Sequence, residues 1–254
     1  MLRILWHGIL VGLLTILTQI GGVAWLVALL LARRRSVLVF GVIFAVIYGA
    51  TTLAARSAAP IFGRVALPCA AAQGVPGAFS WVYCAMNRVY VTPDMADILT
   101  GLAGYLDDRH PDARVKVLDA GFPFIDGFLM VPHLSHKDGR QVDLALWYQG
   151  GAVRSPFGYW AFETPLPGAS LPCAGVTGVT MRWDMAWVQP MISDAPLDTR
   201  ATAAAVRWLA EALPAGGKLF LEPHLVERLS ASGAKVRFQG CRAARHDDHI
   251  HIQL

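Results

Sequence analysis

The sequence predicts an α+β fold, a small mixed or antiparallel sheet with flanking helices, preceded by a two-helix transmembrane hairpin. Three features predict it: an apolar first quarter without acidic residues, a following region in which strand and helix signatures alternate, and four cysteines confined to that second region. Alternation of short strands and helices after a membrane segment is the pattern of a layered α+β domain.

The charge distribution divides the 254-residue chain. Of its 22 Lys and Arg, six (Arg3, Arg33, Arg34, Arg35, Arg56 and Arg64) lie in the stretch through Arg64, which holds no Asp or Glu; the first acidic residue is Asp94. The remaining 16 basic residues face 18 Asp and Glu, so the outer region is slightly acidic. That excludes nucleic acid as a partner, which needs basic residues clustered on the folded domain.

Residues 5–32 are almost wholly apolar, softened only at His7, Gln19 and the Gly21-Gly22 pair. A hydrocarbon core of ~30 Å needs about 20 such residues, so this run and residues 36–54 are each assigned a span. The Arg33-Arg34-Arg35 turn between them belongs in the cytoplasm by the positive-inside rule. The expected location is the inner (cytoplasmic) membrane, N-out and C-out, with the lipid bilayer contacted through residues 5–54 and the rest periplasmic or extracellular. A signal peptide fits poorly, because the run is too long and three arginines follow where a small-residue cleavage site belongs. The domain expectation is therefore a hairpin over 1–56, a linker over 57–68 and a folded domain over 69–254.

Four cysteines in an exported domain suggest two disulfides, with three possible pairings. Closeness in sequence favours Cys69 with Cys84, leaving Cys173 with Cys241. No pair has the C-x-x-C spacing of a redox or metal motif, so cysteine is given no catalytic role.

Within the domain, Thr92-Pro93 marks a helix start, with Thr92 as cap and Pro93 at the first helical position. The helix is expected to reach about Asp108. Residues 115–118 read as a strand, and 142–147 as a strand buried on both faces. A helix over 201–213, capped by Asp198 or Thr199, is followed by a strand over 218–221 and a helix over 223–229 entered through Pro223. Strands over 235–238 and 249–253 finish the chain. Trp183-Asp184-Met185-Ala186-Trp187 reads as core more readily than as a groove wall. Glu222 and His224 read as a helix-start feature rather than as ligands.

Two segments, 132–143 and 245–251, hold five of the eight histidines in the chain. Packing does not explain such clustering, since His is not a preferred core residue. Zinc does, because it takes neutral imidazole and carboxylate, and a catalytic site uses three protein ligands with one position open. In a strand His249 and His251 share a face, and Gly139 permits a turn between His136 and Asp143.

The pairing of H-x-x-x-x-x-x-D with a distant H-x-H resembles the lysostaphin, D-Ala-D-Ala metallopeptidase and hedgehog superfamily. Within it, His133-Leu134-Ser135-His136-Lys137-Asp138-Gly139 and His246-Asp247-Asp248-His249-Ile250-His251 look like the penicillin-insensitive murein endopeptidases. The resemblance covers most of residues 80–254 in order and spacing and is sharp only in the two motifs. It implies one Zn2+ held by His136, Asp143 and His251, with His249 as the active-site histidine and His133 and His246 around the metal. Ser135 joins His133 as a residue contacting substrate or supporting the ligands. Gln141 departs from the pattern, standing where the endopeptidases tend to have Asp. Related dipeptidases place an acidic base where this chain has Asp248, so Asp248 is a second catalytic candidate beside His249 and His246.

The implied activity is zinc-dependent hydrolysis of amide bonds in peptidoglycan peptides, losing rate below about pH 6 as His protonates. The alternatives are a D-Ala-D-Ala carboxypeptidase or dipeptidase, and a zinc-binding module that binds wall or partner without catalysis. A purely structural zinc is disfavoured, because closed sites normally have four Cys-rich ligands.

Overall fold

The structure is a computed structural model that describes residues 1–32 and 36–254. The Arg33-Arg34-Arg35 turn, on which the expected topology leans, lies outside the described residues.

The first apolar run is not one span, which corrects the two-helix hairpin. It forms α1 (Leu2–Thr18) and α2 (Gly21–Leu31), broken where Gln19 adopts φ 65°. The glycine pair lets α2 fold back closely, since a Cβ at Gly22 would lie 2.0 Å from Thr15 Oγ1. Trp25 Nε1 donates to His7 Nδ1 at 3.3 Å, and the Trp25 ring packs on Phe40 and Phe44 of α3 (Val37–Ala58). At 1.5 Å per residue, the 11 residues of α2 cover only about 17 Å, well short of a bilayer core. Among the described residues one helical run, Val37–Phe62, is long and apolar enough to cross a membrane. The C-terminal ends of α1 and α3 both face the domain: Gln19 Oε1 accepts from Phe124 N, and Arg56 donates to the Leu67 carbonyl. Met1 and Ser36 consequently share the far end.

The expected linker over 57–68 is also corrected. Helix α3 continues to Ala58, a 3-10 turn spans Ala59–Phe62, and β1 (Val65–Ala66) pairs with β3 (Tyr90–Val91). Pro60 sits in the first turn of the 3-10 segment, where a proline is tolerated. Ala59 and Leu67 are buried in the domain core, so the joint is packed rather than free.

The domain is α+β as expected. Its mixed sheet runs β2 (Gly77–Ala78), β4 (Lys116–Val117), β5 (Gln141–Ala145), β8 (His249–Gln253), β6 (Lys218–Phe220) and β7 (Val236–Arg237). The outer pairs β2–β4 and β6–β7 are parallel, and the inner pairs are antiparallel. On the central strands Val142, Leu144, Ile250 and Ile252 form one apolar face of the core. Against it pack α5 (Pro93–Arg109), through Leu99, Leu102 and Leu106, and α6 (Thr199–Ala212), through Val206 and Leu209. Asp198 caps α6 by accepting from Arg200 N and Ala201 N, an interaction of about 1 kcal/mol. The short helices α4 (Trp81–Ala85) and α7 (Pro223–Leu229) complete the layer.

Both disulfides form as the sequence suggested, Cys69–Cys84 and Cys173–Cys241. The second closes a 68-residue separation and restrains residues 152–196. That stretch has no helix or strand beyond a 3-10 turn at Gln189–Met191. Loops this long in compact domains are usually functional. Ion pairs hold it down: Glu163 receives Arg154 and Arg228, and Arg182 binds both carboxylate oxygens of Glu222.

Candidate metal centre

Period-two alternation sends Gln141, Asp143 and Ala145 to the sheet face opposite the core, together with His249 and His251. Antiparallel register then sets Asp143 directly across from His251, and Ala145 across from His249. The third element is the turn after Pro132. Gly139 at φ 74° reverses the chain, and the Gln141 amide, oriented by its surroundings, donates to Asp138 Oδ1 and the Ser135 carbonyl. Gln141 thus braces the turn that carries His136.

Three donor atoms converge. His251 Nδ1 lies 2.7 Å from Asp143 Oδ1, His136 Nε2 lies 3.2 Å from the same oxygen, and the two nitrogens are 3.2 Å apart. Tetrahedral zinc bound at about 2.0–2.1 Å keeps its ligand atoms ~3.3 Å apart, so the donor set and spacing fit such an ion. His136 Nδ1 faces the Ala120 carbonyl at 3.0 Å, which assigns its proton to Nδ1 and frees Nε2 as the ligand atom. His133, His136 and Asp143 also present donors within 4.8 Å of one another and can hold a metal. The triangle with His251 is tighter and shares one carboxylate oxygen. His133 uses the other, with Nδ1 at 2.9 Å from Oδ2.

His249 stands beside the triangle. Its Nε2 points toward Asp143 Oδ1 at 3.7 Å, and its Nδ1 meets Asp248 Oδ1 at 2.5 Å. Asp248 follows the expected outward alternation, yet its carboxylate curls back, and its second oxygen accepts from Trp160 N. Both Asp248 oxygens are occupied, one by the His249 ring and one by Trp160 N. The two candidates are one dyad.

Electrostatics follow from this packing. Burial opposes charge on His249, but the Asp248 and Asp143 carboxylates overcome it and raise its pKa to about 9. Without metal, the charged ring stabilises the fold fully below the ordinary His value of 6.5, and that contribution is lost as pH rises through about 9. Burial would raise the Asp143 pKa, but the surrounding His136, His249 and His251 hold it well below the carboxylate range. His246 is kept neutral, its pKa pushed well down by burial and then by His249 and His251. Its ring lies tilted against those of His249 and His251, with centres 4.9 and 5.6 Å away. Ser135 lies at the exposed rim.

Sequence reasoning missed the partners that hold these groups. Asp119 is buried and accepts from Arg88 at 3.1 Å, and its other carboxylate oxygen lies 3.1 Å from the Tyr159 hydroxyl oxygen. The same hydroxyl donates to Asp143 Oδ2 at 2.7 Å. Tyr159 comes from the long loop and Asp119 from the end of β4, so neither has a spacing signature. Outer partners of this kind typically cost 10–100-fold in metal affinity when lost. Tyr159→Phe and Asp119→Asn are each expected to weaken metal binding by about that factor, measured by chelator competition. An unchanged affinity in both would remove them from the site.

The centre floors a groove of about 330 Å3 walled by Leu134, Trp160, Phe162, Met181, Trp183 and Met185. Trp183 and Trp187 are 56% and 69% exposed, so this aromatic stretch is groove wall and rim, not core. Trp160 has φ 70°, a conformation rarely tolerated by a bulky residue, and its N–H is pinned by Asp248. Glu222 and His224 lie outside the centre, Glu222 tied to Arg182 and His224 3.7 Å from Asp247. Comparison with protein-family models, curated proteins and solved structures finds no match for this chain.

Proposed function

We propose that the chain is a membrane-anchored zinc metallopeptidase that cuts internal amide bonds in peptidoglycan peptides. The observation that carries the hydrolase reading is the convergence of His136, Asp143 and His251 on one point faced by His249 Nε2, at the floor of an open groove. When bound, the metal polarises the scissile carbonyl and acidifies water there. His249 Nε2 takes the proton of the attacking water and returns it to the leaving amine. Asp248 fixes the ring by its bond to Nδ1 and stabilises the imidazolium between the two transfers. Asp119, Tyr159 and His133 hold the Asp143 carboxylate in place.

The groove favours an endopeptidase over a carboxypeptidase. A terminal carboxylate calls for an uncommitted cation, and among the described groove residues the one Arg, Arg245, is bound through two atoms to Asp247 and lies over Phe162. The wall substrate rests on the resemblance of the two histidine motifs. Two disulfides and the long apolar helix support an oxidising outer compartment for the domain. Because α1 and α3 run the same way, this reading places the N-terminus on the cytoplasmic side, in place of the N-out expectation.

Zinc-loaded full-length protein in detergent is expected to release muropeptides cut within their cross-linking peptides from purified peptidoglycan, and to stop on chelation. Free D-Ala as the sole product would transfer the assignment to a carboxypeptidase. Zinc retention without any cleavage would leave a binding module.

A further inference from the structure

The joint between membrane helices and domain has no slack. Arg56 donates to the Leu67 carbonyl, Gln19 accepts from Phe124 N, and Phe62 packs edge-on against Phe124 with ring centres 4.9 Å apart. Arg64 pairs with Asp126, and its side chain passes so close to Gly139 that a Cβ there would lie 2.9 Å from Arg64 Nε. Gly139 belongs to the turn that presents His136. Two residues from Phe62 to Arg64, one Arg side chain and three residues from Gly139 to His136 bound the path from helix end to metal centre at ~25 Å. A flexible linker would let the domain search a volume; this joint fixes the groove close to the bilayer surface.

The surface between the two is apolar. Ile61 and Phe62 end the helical run, and Ile125, Leu129 and Val131 continue along the loop to Leu134 at the groove lip, all exposed. Trp81 and Val82, also exposed, begin α4, whose last residue, Ala85, accepts from the Tyr48 hydroxyl of α3. Exposed aromatic and aliphatic side chains where a helix leaves the bilayer suit the headgroup region, and patches of this kind mark interaction sites.

Resting on the hydrolase reading above, we infer that the groove takes its amide substrate preferentially from the membrane surface: a peptide covalently carried on a lipid in the same leaflet, ahead of one free in solution. The apolar lip lies against the outer leaflet, and the lipid part of the substrate stays in the bilayer while its peptide enters the groove.

The test uses zinc-loaded full-length protein in phosphatidylcholine vesicles and one cleavable peptide in three forms: acetylated, palmitoylated directly, and palmitoylated through a long flexible spacer. Because effective concentration peaks where the tether matches the span, the directly palmitoylated form is expected to show kcat/KM at least ~10-fold above both others. The double variant Ile125→Ser with Leu129→Ser is expected to lose that preference while cleaving the acetylated peptide at the original rate. Equal cleavage of acetylated and palmitoylated peptides, or a preference for the long spacer, would overturn the membrane-surface inference and leave the hydrolase intact. Cleavage of none of the three by zinc-bound protein would instead overturn the hydrolase reading.

Discussion

The Asp143→Ala protein is expected to lose zinc affinity by well over the ~100-fold that an outer partner costs, and its hydrolysis is expected to fall to background. The buried carboxylate of Asp143 is the hub of the centre. One oxygen meets His251 and His136, and the other meets Tyr159 and His133. Removing it deletes a charged ligand and leaves four polar groups without their common partner. Asp143→Asn keeps the volume and the bond from Tyr159 but removes the charge, so it separates loss of fold from loss of metal. It should fold and still bind zinc weakly, as read by chelator competition and thermal unfolding. Stoichiometric zinc at unchanged affinity in both variants would exclude Asp143 as a ligand.

The His249→Ala protein is expected to keep its zinc and to lose about 10²–10⁴ in kcat, the usual worth of a positioned acid–base group. Full activity would refute the role. Asp248→Asn gives a finer test because its sign is fixed by charge. Asp248 is the leading group raising the His249 pKa against burial. Neutralising it lowers that pKa, so the base is free at lower pH. The acid limb of the rate profile should therefore move down by about 1–3 pH units, while kcat falls because the ring loses its orienting bond. The limit near pH 6 expected from the sequence concerns protonation of the ligand histidines; the Asp248 contact raises the His249 pKa in the metal-free protein. An unmoved limb in Asp248→Asn would mean that another group sets the profile.

Much of the centre was legible because it is local. Two histidines one residue apart on the last strand must share a face, and a His and an Asp flanking a glycine turn can converge. The strand over 249–253 and the helix over 223–229 match the structure for the same reason, since alternation and a Pro-led helix start are short-range signals. The wall of the groove was not legible. Trp160, Phe162, Met181 and Trp183 lie in a segment without periodicity, placed by the Cys173–Cys241 bond and by the ion pairs of Glu163 and Glu222. An aromatic residue there carries no local sign of whether it faces core or solvent.

The membrane segment shows the same division. Apolar length counted residues 5–32 as one span, while Gln19 and the glycine pair, visible only as soft points, break it and fold α2 back on α1. The stretch expected as a linker, 57–68, packs as a turn and a paired strand. By itself the sequence determined the clustering of His and Asp that could hold a metal, the central strands and the presence of a long apolar segment, because each depends on composition or on spacing within a few residues. Only the tertiary structure decided that Asp248 bonds His249, that Tyr159 and His133 meet Asp143, and that the domain packs directly onto the end of the long apolar helix. Those depend on contacts between residues far apart in the chain, which cross-strand register, a disulfide and buried ion pairs bring together.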